Sequence, residues 1–100
     1  MTPEGRLVVY LRRRVTSLGG ETRKCAWTSH IGAPDQLVLF PSCGIHFWVE
    51  LKAPGKKPRR SQLREFDVLR RAGCAVFVAD CPEDIEAILR SFVLVGEGDE

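Results

Sequence analysis

GAPDQLVLFPSCGIHFWVELKAPGKKPRR, residues 32–60, decides how the chain reads. Two apolar runs, 36–40 and 45–52, flank Pro41-Ser42-Cys43-Gly44, a connection of hairpin type. Charged residues stand at the outer ends of these runs: Asp35 before the first, Glu50 and Lys52 at the end of the second. Side chains along a strand alternate between faces. Ile45, Phe47, Val49 and Leu51 therefore form an apolar face, and His46, Trp48, Glu50 and Lys52 share the other. Pairing Phe40 with Ile45 carries the register outward until Asp35 stands opposite Glu50. Facing Cβ atoms in such a pair lie roughly 4.5–5.5 Å apart. Two carboxylates that close repel unless one takes a proton or a cation lies between them. Hard ions such as Mg²⁺ are held by one or two carboxylates with waters and substrate phosphates. With Lys52 two residues beyond Glu50, the charges read as a divalent-cation site at the edge of a sheet.

Outside this hairpin the chain alternates helix and strand signals. Thr2-Pro3-Glu4 is a helix start, with Thr2 as cap and Pro3 at the first helical position. Leu7, Val8, Leu11, Val15 and Leu18 recur at helical spacing, and Gly19-Gly20 ends the run. Residues 22–28 are read as a strand and 29–34 as a loop. After the Pro-, Gly- and Lys/Arg-rich loop 53–60, Ser61 is expected to cap a helix with Leu63, Phe66 and Leu69 facing inward, stopped by Gly73. Residues 74–79 form a continuous apolar strand of the kind buried on both faces. Pro82 opens a last helix carrying Ile85, Ile88, Leu89 and Phe92 on one side. The order αβββαβα implies an antiparallel meander of three strands. A right-handed helical crossover then adds a fourth strand in parallel, giving a four-stranded mixed α/β sheet flanked by helices.

Two more polar residues aim at the strand ends. Glu4 shares the periodicity of the first helix's buried stripe, although an acidic residue in a first turn is also favoured by the helix dipole alone. Gln62 lies four residues before Phe66 and leans inward at a helix start, where amide dipoles favour anions. Lys56, Lys57, Arg59 and Arg60 precede it and Arg64 follows, a composition suited to phosphate oxygens. Trp48, on the Glu50 face, is read as a cover for the sheet ahead of a base-stacking role.

Composition sets bounds. One hundred residues with 44% hydrophobic content suit one domain, here 1–95, with a frayed acidic tail at 96–100. The net charge of +2 excludes little by itself. Four cysteines without any Cys-x-x-Cys pair, and His30 and His46 at unsuitable spacing, read as reduced thiols and not a zinc site. No segment resembles a signal peptide or a membrane span, so a cytoplasmic protein is expected.

Pro34-Asp35 followed by Glu50-Leu51-Lys52 resembles the Pro-Asp…Glu-x-Lys nuclease motif. The surrounding pattern is similar to the stand-alone, phage-type VRR-NUC domain. It comprises Glu4, Leu18-Gly19-Gly20, the stretch from Gly32 to Leu37, the stretch from Val49 to Arg59, Gln62 and Gly73, and covers the chain to about Leu89. The resemblance implies a restriction-endonuclease-like fold and Mg²⁺- or Mn²⁺-dependent hydrolysis of DNA. It also implies a homodimer akin to Holliday-junction resolvases, acting on branched DNA in a host cytoplasm if phage-encoded. On this reading Asp35, Glu50 and the Leu51 carbonyl hold the metal, with Glu4 reaching it directly or through water. Lys52 orients or deprotonates the attacking water, and Gln62 positions the nucleophile or the scissile phosphate. Lys56, Lys57, Arg59, Arg60 and Arg64 bind DNA, and the products carry a 5′-phosphate and a 3′-hydroxyl. Other readings are a DNA-binding subunit or adaptor without cleavage, and a toxin or immunity module working through protein contacts. The apolar run 92–95 is either a dimer contact or core.

Overall fold

The computed structural model describes residues 1–94; Val95 and the acidic tail at 96–100, where fraying was expected, lie outside the described residues. Helix α1 spans Pro3–Ser17, and the Thr2 hydroxyl accepts the Gly5 N–H at 3.0 Å, the expected cap. Leu7, Leu11 and Val15 form its buried stripe. At the other end Gly19, at φ +88°, donates to the Thr16 carbonyl at 3.0 Å, and Gly20 donates to the Val15 carbonyl at 2.9 Å. These two bonds satisfy helix-end carbonyls and turn the chain straight into the sheet. Gly20 is also confined by packing, since a Cβ there would lie 2.6 Å from the Phe40 ring and 2.7 Å from the Leu39 carbonyl oxygen.

Strands β1 (Glu21–Lys24), β2 (Gln36–Phe40), β3 (Ile45–Leu51) and β4 (Val76–Ala79) lie in that order in one sheet. The first three form the antiparallel meander, and β4 joins β3 in parallel after helix α2 (Arg60–Arg71). Helix α3 (Pro82–Leu89) and a π-helical turn (Arg90–Leu94) complete the αβββαβα order. Phe40 pairs with Ile45 as the sequence implies, and the ladder runs out to Gln36–Val49, one pair short of Asp35 and Glu50.

Alternation divides the sheet into two unequal faces. Val38, Phe40, Phe47, Val49 and Leu51 pack with the α1 stripe and with Ile85, Ile88 and Leu89 of α3 in one core. Phe47 is fully buried, and its ring centroid lies 5.5 Å from Phe77 and 4.9 Å from Phe92, both edge-on. Each buried ring contributes roughly 1.5–3 kcal/mol. Phe92, half-buried, packs against this core. Glu86 of α3 accepts from the Tyr10 hydroxyl at 2.7 Å and from Arg14 at 2.7 and 3.1 Å, tying α3 to α1. Helix α2 covers the opposite face with Phe66 and Gln62.

Four local expectations are corrected. The first strand stops at Lys24, because residues 25–27 leave the sheet and the Trp27 indole bonds the Pro34 carbonyl. The cap of α2 is Arg59, not Ser61, because the Gln62 side chain turns back and accepts the Arg59 N–H at 2.9 Å. With Gln62 in the inward slot, the buried stripe runs Gln62–Phe66, and Leu63 is 53% exposed instead of facing in. Strand β4 begins at Val76 and lies at the sheet's edge, so Phe77 and Val78 are only half-buried.

Candidate active site

Glu50 stands one residue before the end of β3 and is 8% exposed. Its Oε2 is shared by two donors: the Lys52 ammonium at 3.3 Å and the Gln62 side-chain amide at 3.1 Å. Gln62 in turn accepts the Arg59 N–H, so one amide couples the first turn of α2 to the strand end. Burial raises the Glu50 carboxyl above the ordinary range, the Lys52 ammonium lowers it, and the charges of Asp35 and Glu4 raise it again. The field at Glu50 therefore comes from the residues singled out in the sequence. Glu4 itself is exposed and not in the buried stripe, which begins at Leu7.

The segment that carries Asp35 is fixed from several sides. The Asp35 carbonyl accepts the Cys25 N–H at 2.8 Å, and the Pro34 carbonyl accepts the Trp27 indole N–H at 2.7 Å. The Trp27 ring packs on Trp48 with centroids 5.3 Å apart, so Trp48 is covered by an aromatic ring from the loop. Gly32, at φ +90°, lies so close to α2 that a Cβ would meet the Ser61 carbonyl oxygen at 2.7 Å. The β2–β3 ladder stops at Gln36–Val49, so Asp35 and Glu50 stand just past its end.

Pro34 has a second consequence. Trp48 and Lys52 donate their N–H groups to β4, at the Ala75 and Ala79 carbonyls, so the odd residues of β3 turn their backbone groups toward β2. Beyond Gln36–Val49, the next rung of that kind would join Leu51 to residue 34. Proline has no N–H to give, so the Leu51 carbonyl lacks its ladder donor. Carboxylate and carbonyl oxygens are the donor type that hard divalent ions prefer and soft ones do not.

Lys56, Lys57, Arg59, Arg60 and Arg64 are all exposed, on the loop before α2 and its first turns. Asp80, just past β4, anchors this loop by accepting the Gly55 N–H at 3.1 Å, a bond that holds its carboxyl below the ordinary range. Asp80, Cys81 and Asp84 bring ligand atoms within 4.8 Å of one another. One Asp84 oxygen accepts the Asp80 N–H at 3.1 Å, so this cluster is already engaged in holding loop and helix start together. Trp27 and Asp80 were not singled out in the sequence. Their signals were a tryptophan just ahead of Pro34-Asp35, and an acid ending the strand beside Glu50-x-Lys52.

Trp27→Phe keeps a ring against Trp48 but removes the indole donor. The expected cost is about 1 kcal/mol of stability and a drop in nuclease activity of roughly tenfold as the Pro34-Asp35 segment loses one of its anchors. Thermal melts and single-turnover rates of the variant check both.

The chain is similar to known proteins over most of its length. It is 41% identical over 80 residues to "Putative nuclease p44" of Acyrthosiphon pisum secondary endosymbiont phage 1, covering 80% of this chain and 84% of that protein. A solved structure described as "VRR_NUC domain" superposes with a TM-score of 0.82 at 36% identity, covering 90% of this chain and 97% of that one. No family model matches the sequence.

Proposed function

The chain belongs to the VRR-NUC family, and from that premise we propose that it is a divalent-metal-dependent endonuclease that hydrolyses phosphodiester bonds in branched DNA as a homodimer. The observation that carries this reading is the buried Glu50 carboxylate, gripped by Lys52 and Gln62 just past the end of the β2–β3 ladder, with Trp27 and Gly32 anchoring the segment that bears Asp35. Asp35, Glu50 and the Leu51 carbonyl would hold Mg²⁺ or Mn²⁺, with Glu4 adding charge from α1. When bound, such an ion lowers the pKa of water and offsets charge developing on the scissile phosphate.

The remaining work belongs to the chain's own groups. Lys52, held 3.3 Å from Glu50, keeps that carboxylate ionised and orients the attacking water. Gln62 fixes the position of Glu50 and, at the start of α2, directs the scissile phosphate toward amide dipoles that favour anions. Lys56, Lys57, Arg59, Arg60 and Arg64 receive the flanking phosphates. In-line attack then leaves a 5′-phosphate and a 3′-hydroxyl. A two-fold dimer would set two such sites against two strands.

The test is incubation of the pure protein with a labelled four-way junction, a flap and a linear duplex, each with Mg²⁺, Mn²⁺ or EDTA, alongside its mass in solution. The expected result is metal-dependent product, greatest on branched DNA, from a species of twice the chain mass. Binding without product under any metal would replace the nuclease by a DNA-binding adaptor.

A further inference from the structure

Beside the active site stands an apolar side chain that the fold holds out into solvent. Ile31 is 78% exposed, close to the 81% of the terminal Met1. Yet the loop bearing it is pinned on both sides. Trp27 bonds Pro34 and packs on Trp48; the His30 ring lies 3.1 Å from Glu65 of α2; and Gly32 rests on the α2 backbone at Ser61 and Gln62. Ser29 takes φ +61°, so the chain turns sharply just before the tip. The loop thus projects one branched aliphatic group near the first turn of α2, where Gln62 meets Glu50 and where Arg60 and Arg64 are exposed.

We propose that Ile31 is a wedge that enters the base stack of bound DNA next to the cleaved phosphate and so selects branched or otherwise unstacked substrates. The inference rests on the nuclease reading and adds to it the source of its substrate preference. The occupant is argued from continuity with the site and from charge. A polyanion drawn to Arg60 and Arg64 brings its bases to the level of Ile31. Apolar side chains inserted at a base step must disrupt stacking, and the disruption costs least where stacking is already broken, as at a branch point. A tip that had to fold on binding would lose part of that gain as ordering entropy, and the contacts of Trp27 and Gly32 lower that cost here.

The experiment uses a four-way junction and a linear duplex of matching sequence, each with 2-aminopurine at the same step, beside the branch in the junction. Fluorescence is read at saturating protein in EDTA, and cleavage is read separately in Mn²⁺. Wild-type protein is expected to raise the junction fluorescence severalfold. Ile31→Ser should lose most of that rise and about a tenfold share of the junction-to-duplex cleavage ratio, and Ile31→Phe should retain both. The exposure of Ile31 makes loss of fold an implausible cause, and a circular-dichroism melt checks it. An equal rise and an equal ratio for Ile31→Ser, or no rise with wild type, overturns the wedge. Wild type that never cleaves removes the nuclease reading, while the fluorescence still decides the wedge.

Discussion

Replacing Glu50 with Gln is expected to abolish cleavage, by on the order of a thousandfold or more, and at the same time to stabilise the metal-free protein. The two effects have one origin. Burial is the first cause that lifts the Glu50 carboxyl, and Asp35 and Glu4 lift it further against the pull of Lys52. With its folded pKa above the unfolded value, the native state holds this proton to higher pH than the unfolded chain does. Stability therefore falls as pH rises from the unfolded pKa through the folded one, and the full cost is present above it. The glutamine variant has no proton to release and lacks this fall. It retains an oxygen that can accept the Gln62 amide, which wild-type Glu50 accepts at 3.1 Å. In Mn²⁺ the order reverses, because an ion that binds only the folded state stabilises wild type and the variant has lost a charged ligand. Thermal melts across pH, with EDTA and with Mn²⁺, measure both halves. A midpoint several degrees lower than wild type in EDTA would show that the carboxylate is a structural ion-pair partner and not a strained ligand.

What the sequence disclosed follows from how local each feature is. The cap at Thr2, the stripe Leu7-Leu11-Val15 and the Phe40–Ile45 register depend on neighbours a few residues away, and all three hold. The side assigned to Glu50 and Lys52 followed from strand parity alone. Gln62 could be placed inward from its spacing to Phe66. Its second role, closing the capping box on Arg59, was hidden because a hydroxyl at Ser61 is the stronger local signal. The outward turn of Leu63 is a separate departure, since Gln62 and Leu63 were both read as inward. The bond from Trp27 to Pro34 and the anchoring of Gly55 by Asp80 could not be read, since both depend on where strands separate. The end of the ladder before Asp35 belongs to the same class: pairing rules extend it to Glu50, whereas it stops at Gln36–Val49.

Lys52→Met should have the opposite effect on stability to Glu50→Gln and separates two roles that otherwise look alike. Lys52 Nζ lies 3.3 Å from Glu50 Oε2, and both side chains are largely covered, at 15% and 11% exposure. Without the ammonium, every remaining influence on Glu50 except its hydrogen bonds pushes the carboxyl upward: burial, Asp35 and Glu4. The folded protein then either keeps a proton on Glu50 or bears an uncompensated charge, and loses about 1–3 kcal/mol near neutral pH. A protonated carboxyl is a poor ligand, and ion binding must first displace that proton. Mn²⁺-induced stabilisation should therefore shrink in the variant at the acidic end of a pH series and return as pH is raised. Cleavage should not return with it if, as proposed, Lys52 orients the attacking water, a loss of roughly 10²–10⁴-fold. Lys52→Arg restores the charge beside Glu50, so it should recover ion binding at the acidic end of the series, while its planar guanidinium cannot reproduce the geometry of an ammonium proposed to orient water. Cleavage by Lys52→Met that recovers in step with Mn²⁺ binding would mean that Lys52 acts only by keeping Glu50 ionised.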